Sequence, residues 1–597
     1  MFDKKKLHRM WTANPTIYDL LRDSENHKAA RNHLHSYLSE RLRILYHSSE
    51  KMLPMEFYIQ MNCVIALRRI ISYRSERMAK FSIVELLWKL AHEKFDELTN
   101  TLSDGFLEHL NHLFLGLQGK SGVYDDLTFP EFLNLKGREA AEARSKDLDA
   151  LAEKAQAFIN RYPSGLNEEV QEKRLENKHR ILHYFKATEE NWADYRWHLR
   201  HIIRNANTLK KLIDLTKDEI KAISKAAAAE LPFGITPYYV SLMDKKSHRK
   251  YDHAVRAQVI PPMDYVDYMI EHKGQIEYSS DFMLERDTSP VDLVTRRYPN
   301  IAILKPYNTC SQICVYCQRN WEIDDVLSPG AMADKDSLEK AFQWFREHPM
   351  VNEVLVTGGD PLILGDRRID WIMSKLAEMD HIERIRIGSR TPIVLPQRIT
   401  DSLMNILSKY HDPGRREVAL VIHFEHPYEV TPDAMQAVQK VKQRCISVYN
   451  QAVYTLENSR RFELVALRRA LRLIGVDSYY TFNTKGKEET KSYRVPIARL
   501  QQEVKEEARL ATGLVRTDEP VYNVPRLGKN YVRAAQHHSL LTILPDGRPV
   551  YEFHPWEKNF SLVDTYVDTD VSIYEYLQEL KRRGEYLNEY KTIWYYF

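Results

Sequence analysis

Residues 308–323 read NTCSQICVYCQRNWEI and hold three of the chain's five cysteines, Cys310, Cys314 and Cys317, spaced C-x3-C-x2-C. Three uses suit such a triplet. A structural zinc ion wants four nitrogen or sulfur ligands, usually from two C-x2-C-like pairs, and only one such pair is present. A redox C-x-x-C needs two cysteines and leaves Cys310 without a task. Three thiolates can instead hold a cubane iron–sulfur cluster with one iron open to a ligand, which is then placed to be reduced. The segment follows the apolar run IAIL and reads as a loop, so the three side chains can converge. The spacing favours the cluster.

Downstream of Asp287, short apolar segments alternate with amphipathic ones: NIAILKPY, DSLEKAFQWFREH, NEVLVTGGD, WIMSKLAEM, IERIRIGSR, ITDSLMNILSKY and EVALVIHFE. Strands joined by crossover helices make a parallel sheet, open or closed into a barrel. The loops after the strands carry Asn308, Gly358, Ser389 and His423, which suits a barrel with its chemistry at the C-terminal strand ends. The expected class is α/β, a partial (β/α) TIM-like barrel over residues 287–556. Residues 1–185 read as an all-α N-terminal domain, with helical periodicity in SIVELLWKLAHEKFDELTNTL and EARSKDLDALAEKAQAFINRY. They carry no catalytic constellation and suit packing or partner binding. Residues 186–286 form a helical lead-in that breaks at Pro232 and Gly234. Residues 557–597 are a C-terminal segment, acidic and aromatic, with no legible role.

The 597 residues are 43% hydrophobic and 28% charged, an ordinary globular composition. The 86 basic and 83 acidic residues give a formal charge of +3, so nothing calls for nucleic acid or an anionic membrane. No apolar run reaches the ~20 residues of a membrane span. The opening MFDKKKLHRMWTANPTIYDLL lacks an uninterrupted apolar run and a small-residue cleavage site. Sparse cysteines argue against a secreted disulfide framework. A cytoplasmic protein is expected.

Tyr316, the aromatic residue before the last cysteine, completes a pattern that resembles the radical S-adenosylmethionine (SAM) superfamily. TGGDPL (Thr357–Leu362) follows the apolar VLV, where that superfamily lays backbone against the methionine end of the cofactor. Glycines admit a close backbone approach, and Asp360 offers an acceptor to an ammonium group. From about Trp192 to Trp556 the chain is similar to the lysine 2,3-aminomutase family. The resemblance is carried by DYRWHLRHIIRNANTLKKLIDLT, ITPYYVSLMD, RRYPN, VTGGDPLIL, RIRIGSRTPIVLPQRIT, HFEHPYEVT, Asn450–Gln451 and YYTFNTKGKEETKSYRVP. It does not cover the first 185 residues. It implies a [4Fe-4S] cluster, S-adenosylmethionine and pyridoxal 5′-phosphate, with an α-amino group moved to the β-carbon of an amino acid. It also implies a one-electron reductant such as flavodoxin or ferredoxin, and admits a homo-oligomer.

By the same resemblance Cys310, Cys314 and Cys317 bind the cluster, while Tyr316, Gly358, Gly359, Asp360, His423 and Gln451 line the adenosylmethionine site. Arg319, two residues past the last cysteine, clamps the substrate carboxylate, a task suited to a planar guanidinium. Outside this context Arg319 reads as a surface arginine and His423 as a rim residue. Lys529, in VYNVPRLGKNYV, is the pyridoxal lysine. Two departures bear on that cofactor. The glycine run before the lysine is shortened to Gly528, and Ile301 stands where the family has an arginine for the phosphate, leaving Arg297 and Tyr298 of RRYPN.

Family members acting on lysine present two aspartates to its distal ammonium; the matching positions here are Lys485 and Asn523. Two cations ~4 Å apart repel by about 1–4 kcal/mol at moderate dielectric, so a lysine side chain is disfavoured and a distal carboxylate welcomed. The pair resembles the glutamate 2,3-aminomutase branch, unless Lys485 simply faces solvent. The expectation is an aminomutase favouring glutamate or another acidic amino acid. Rivals are a lysine 2,3-aminomutase acting on free or protein-bound lysine, a radical SAM enzyme without pyridoxal phosphate, and a zinc-binding helical scaffold. Some relatives hold a structural zinc through C-terminal cysteines. Only Cys445 lies beyond the cluster loop, so no such site is expected.

Overall fold

The strands foreseen between Ile301 and Ile422 form, in a computed structural model describing residues 3–48, 54–98, 102–125, 127–246, 250–274, 281–484, 486–525, 528–533, 538–554, 556–559 and 561–597. The chain divides into two compact units. One comprises Ala155–Tyr493 and Leu510–Glu519; the other comprises Met1–Lys154, Arg494–Arg509 and Pro520–Phe597.

In the first of these, strands β1 (Val294–Thr295), β2 (Ile301–Tyr307), β3 (Glu353–Gly358), β4 (Arg384–Gly388), β5 (Glu417–Ile422), β6 (Ser447–Val453) and β7 (Asp477–Thr484) lie side by side in chain order. β1 is antiparallel to β2, and every later pair through β7 is parallel. Helices Lys335–Glu347, Asp366–Ala377, Asp401–Lys409, Pro432–Lys442 and Glu463–Leu473 return the chain between successive strands. Sequential order with one helix per crossover is the partial (β/α) barrel that the alternating pattern called for. β5 reads EVALVI, and from Val418 onward it is buried residue by residue, as a strand covered on both faces must be.

The helices explain themselves locally. Lys335–Glu347 starts where the Asp334 carboxylate accepts the Ser337 N–H at 2.8 Å. It buries Leu338, Ala341, Phe342 and Phe345, a stripe at helical spacing. Phe342 is wholly buried, and truncating it to alanine costs about 3–5 kcal/mol.

In the other unit, helix Asp104–Leu117 is the centre. Phe106, Leu107, Leu110, Leu113, Phe114 and Leu117 are all fully buried. It packs against helices Lys4–Ala13 and Pro54–Ile70 and also against helix Ile573–Arg582 and the 3-10 segment Leu587–Tyr595. A Cβ on Gly116 would lie 2.4 Å from Cys63 Sγ and 2.9 Å from the Tyr595 ring, so a glycine lets these elements close up. His112 stacks on Trp594 with ring centroids 4.6 Å apart. The acidic, aromatic C-terminal segment thus shares a core with the N-terminal helices. This unit also holds β8 (Glu519–Val524, from Pro520 on), β9 (Gly528–Tyr531) and a sheet of β10 (His538–Ile543), β11 (Pro549–Phe553) and β12 (Tyr566–Thr569). Among the described residues no helix is long and apolar enough to cross a membrane.

Candidate active site

The cysteine loop leaves the C-terminal end of β2 and is pinned along its backbone. On the barrel side, Gly359 N–H donates to Tyr307 O at 2.7 Å and Asp360 N–H to Thr309 O at 2.9 Å. Leu327 N–H donates to Cys310 O at 3.2 Å. From the lead-in, Gly234 O accepts from Ile313 N–H at 3.0 Å and Gln258 O from Val315 N–H at 2.8 Å. The break at Pro232 and Gly234 is therefore a docking point for the loop. A Cβ on Gly359 would lie within 2.2–2.6 Å of Thr309 backbone atoms, and Gly358 takes a φ of +112°. These two glycines admit the cysteine loop against the end of β3.

Asp360 is buried and its carboxylate is spoken for. Oδ1 accepts from Leu362 N–H at 3.1 Å and Ser389 Oγ at 2.7 Å, and Oδ2 from the N–H groups of Arg390 at 2.9 Å and Thr391 at 3.0 Å. Asp360 ties the loop after β3 to the loop after β4. With all four acceptor positions used inside the protein, it is a positioning residue rather than an open acceptor for an ammonium group.

The three thiols sense one another. Burial pushes Cys310 well up, and the neighbouring charges of Asp360, Cys317 and Cys314 add to the rise. Cys317 is raised by burial and by Cys314. Cys314 is raised by burial, against which Arg390 pulls it down. Thiols raised in this way would have to give up their protons to a metal that takes thiolate ligands.

Arg390, from the loop after β4, donates from Nη1 to Cys314 Sγ at 2.7 Å. Its Nη2 reaches Tyr239 Oη at 3.0 Å, Glu429 Oε1 at 2.8 Å and Gln258 Oε1. Glu429 is fully buried and also accepts from Tyr239 Oη, Gln258 Nε2 and the N–H groups of Glu425 and His426. Arg390 Nε is buried without a hydrogen-bond partner. A guanidinium edge with an unclaimed donor beside the Cys314 thiol fits an anionic ligand group, as the carboxylate of adenosylmethionine would supply. Arg390 lies in the GSRTP run and was missed in the sequence; its place in a loop after a strand was the available signal.

Tyr316 lies with its ring 5.3 Å from Tyr493, and burial pushes its hydroxyl well above the usual range. His423, just past β5, is lowered to about 4 by burial and then by Arg390, so it is neutral at physiological pH. Its ring bonds the backbone of Gln451 on β6, which brings these two predicted residues together. Arg319 forms a two-pronged ion pair with Glu285, Nε to Oε2 at 2.9 Å and Nη2 to Oε1 at 3.1 Å. Arg297 and Tyr298 are half-buried after β1, with Arg297 donating to Met283 O.

Lys485 lies outside the described residues. Asn523 and Lys529 belong to the other unit, on the hairpin of β8 and β9. They face each other directly, Asn523 paired with Lys529 and Val524 with Gly528. Gly528 takes φ +80°, which only glycine adopts cheaply. One glycine is enough to begin β9.

Among the described residues, His253, His426 and Glu463 bring three possible metal-ligating atoms within 4.8 Å of one another. The chemistry of this cluster argues against a metal. Tyr428 N–H donates to His426 Nδ1 at 3.1 Å, so the neutral ring carries its proton on Nε2, which donates to Glu463 Oε1 at 3.1 Å. A metal on Nε2 would require a ring stripped of both protons. Arg460 already supplies the cation, with Nη2 2.6 Å from Glu463 Oε1 and 2.8 Å from His253 Nε2. Burial alone would raise the Glu463 carboxyl, but Arg460 and the two histidines hold it well below the usual range.

Residues 304–450 match the Radical SAM superfamily. Together with a partial (β/α) barrel whose loop after β2 carries three cysteines, this defines a radical SAM enzyme, a class that uses a [4Fe-4S] cluster and S-adenosylmethionine. The chain is 43% identical over 606 residues to an uncharacterized KamA family protein of Methanocaldococcus jannaschii, covering 98% of this chain and 96% of that one. It therefore belongs to the KamA family. It is also 34% identical over 360 residues to glutamate 2,3-aminomutase of Clostridioides difficile, covering 60% of this chain and 79% of that enzyme. To L-lysine 2,3-aminomutase of Methanococcus maripaludis it is 35% identical over 279 residues, covering 46% and 61%. The chain is an enzyme of the aminomutase, isomerase type. Enzymes of this class act on small molecules and draw on a reductant.

Proposed function

We propose that this enzyme is a pyridoxal-phosphate-dependent 2,3-aminomutase of an acidic amino acid, glutamate favoured. The observation that carries the reading is the β8–β9 register. Lys529, the cofactor lysine, and Asn523, one of the two residues that read the far end of the substrate, are direct cross-strand partners. Side chains paired this way sit ~5 Å apart at Cβ, so cofactor and specificity residue act on one small ligand.

Cys310, Cys314 and Cys317 hold the cluster, and the guanidinium of Arg390 sets the charge beside Cys314 and offers its Nε–H to an anionic ligand group. Arg319 binds the substrate α-carboxylate. Tyr316 and Tyr493 close the site with aromatic surface and keep water from reactive species. Lys485 contributes positive charge and Asn523 a neutral polar group where a lysine-specific site carries two carboxylates. When bound, the cluster with adenosylmethionine supplies the hydrogen-abstracting radical, and the pyridoxal group supplies the π-system across which nitrogen moves. The reductant is a flavodoxin or ferredoxin.

Anaerobic incubation of the reduced enzyme with adenosylmethionine, pyridoxal phosphate and candidate amino acids tests this. Appearance of β-glutamate supports it; β-lysine without β-glutamate overturns the acidic reading. Loss of a borohydride-trapped pyridoxal adduct in Lys529→Ala tests the cofactor assignment apart from turnover.

A further inference from the structure

We propose that Glu285 is the positioning residue that aims Arg319 at the substrate. The inference rests on the reading of Arg319 as the carboxylate clamp and adds the device that orients it.

A guanidinium has five N–H groups in a fixed plane and two ways to accept a carboxylate in a fork: along the Nε/Nη2 edge, or end-on across Nη1 and Nη2. Glu285 takes the first, with its two oxygens on Nε and Nη2 at 2.9 and 3.1 Å. That leaves the second N–H of Nη2 for the end-on fork, while Nη1 makes no hydrogen bond among the described residues and is not sealed in the interior. That fork is the geometry a substrate carboxylate needs.

Glu285 is itself held. Asp281, also buried, accepts from the backbone N–H of Glu285 at 2.9 Å and of Arg286 at 3.2 Å. Gln318, the residue between Cys317 and Arg319, donates Nε2 to Glu285 Oε1 at 3.3 Å. The carboxylate is thus fixed both from its own turn and from the cysteine loop.

A competitor shows why such a hold is required. Glu322 Oε2 lies 3.8 Å from Arg319 Nε, while Glu322 Oε1 is bound by Lys305 at 2.5 Å. Glu322 Oε2 is buried with no hydrogen-bond partner. Without Glu285, that unsatisfied oxygen is the nearest anion to the guanidinium and would draw Arg319 away from the end-on presentation. Glu285 therefore selects one of two acidic partners. The opposite idea, that Glu285 plugs the clamp and must be displaced, requires the substrate to use the same edge.

The two ideas predict opposite signs. The experiment measures KM and kcat of Glu285→Gln, Glu285→Asp and Arg319→Lys with whichever of L-glutamate and L-lysine the enzyme turns over, cluster absorption serving as the check on folding. Positioning predicts that Glu285→Gln raises KM about 10-fold with kcat changed far less, that Glu285→Asp recovers part of the loss, and that Glu322→Gln in the Glu285→Gln background lowers KM again. A KM unchanged or lowered in Glu285→Gln overturns the proposal. If Arg319→Lys leaves KM alone, the clamp reading fails; if Arg319→Lys raises KM and Glu285→Gln does not, only the positioning role fails.

Discussion

A Cβ on Gly359 would stand 2.2 Å from the carbonyl oxygen of Thr309, the residue before Cys310. Side chains do not approach backbone so closely, and the neighbour here is the segment that carries Cys310, the proposed first cluster ligand. Gly359→Ala must push the cysteine loop off the end of β3 and break the Asp360 N–H to Thr309 O bond. Iron bound after anaerobic reconstitution is expected to fall several-fold. Gly365→Ala is the control: its φ is −65° and nothing lies within 4 Å of an added Cβ. Equal iron in the two variants would remove the structural reason given for that glycine.

Among the described residues Arg390 is the one cation touching Glu429, which is fully buried among neutral donors. Removing one member of a buried ion pair costs about 3–5 kcal/mol, so Arg390→Met is expected to lower the melting temperature sharply. Arg390→Lys keeps the charge but has one nitrogen for Cys314, Tyr239, Gln258 and Glu429 together. It is expected to fold and to bind adenosylmethionine about 10-fold more weakly, a loss near 1.4 kcal/mol, by equilibrium dialysis. Binding at full strength would separate Arg390 from the cofactor.

How much of this was legible beforehand depends on range. The β2 to β5 run was readable because strands covered on both faces leave continuous apolar stretches such as EVALVI and because helices such as Lys335–Glu347 leave an i, i+3, i+4 stripe. The cysteine triplet was readable because its members fall within eight residues of one another in sequence. Arg390, Glu429, Tyr239 and Gln258 meet from four separate segments, and nothing local in any of them announces the others. Asp360 was read as an open acceptor; its four donors come from the next loop, which sequence adjacency does not reveal. The sharing of a core between helix Asp104–Leu117 and the segment holding Trp594 has the same cause, since a contact between distant segments leaves no periodic trace in either. Lys529 and Asn523 could be aligned to a family pattern, but their direct pairing is a matter of strand register, which the alignment does not contain.

That shared core carries a buried imidazole with consequences for acid stability. His109 is 3% exposed, and burial, then the nearby His112, lowers it to about 3. An unfolded histidine titrates near 6.5, so below that pH the unfolded chain binds a proton that the folded chain refuses. Protons favour the unfolded state, and stability falls as pH drops from about 6.5 toward about 3. It is complete above 6.5. Denaturant unfolding at pH 7.5 and 5, followed by tryptophan fluorescence, is expected to show a loss on the order of 2 kcal/mol from this group, from ~1.4 kcal/mol per pH unit over the 1.5 units below 6.5. His109→Gln should be weaker at pH 7.5 yet less sensitive to the change. An unchanged pH dependence would mean the ring is protonated inside the core.

On the proposed reading, substrate choice turns on the sign of charge facing the far end of the amino acid. At Asn523, the buried partner of Lys529 on the β8–β9 hairpin, an aspartate is isosteric, so Asn523→Asp changes charge with little change of shape. Opposed to a glutamate side chain at ~4 Å, the new carboxylate costs about 1–4 kcal/mol, and opposed to a lysine it returns a similar amount. Combined with Lys485→Asp, the two changes remove an attraction and add two repulsions. The ratio of kcat/KM for glutamate over lysine is expected to fall at least 100-fold in the double variant, with Asn523→Asp alone giving about 10-fold, equivalent to ~1.4 kcal/mol. Trapping with borohydride should proceed as before in Asn523→Asp, because Lys529 is left in place. A ratio that does not move while trapping persists would show that these positions do not face the substrate, and the acidic preference would then rest on other residues.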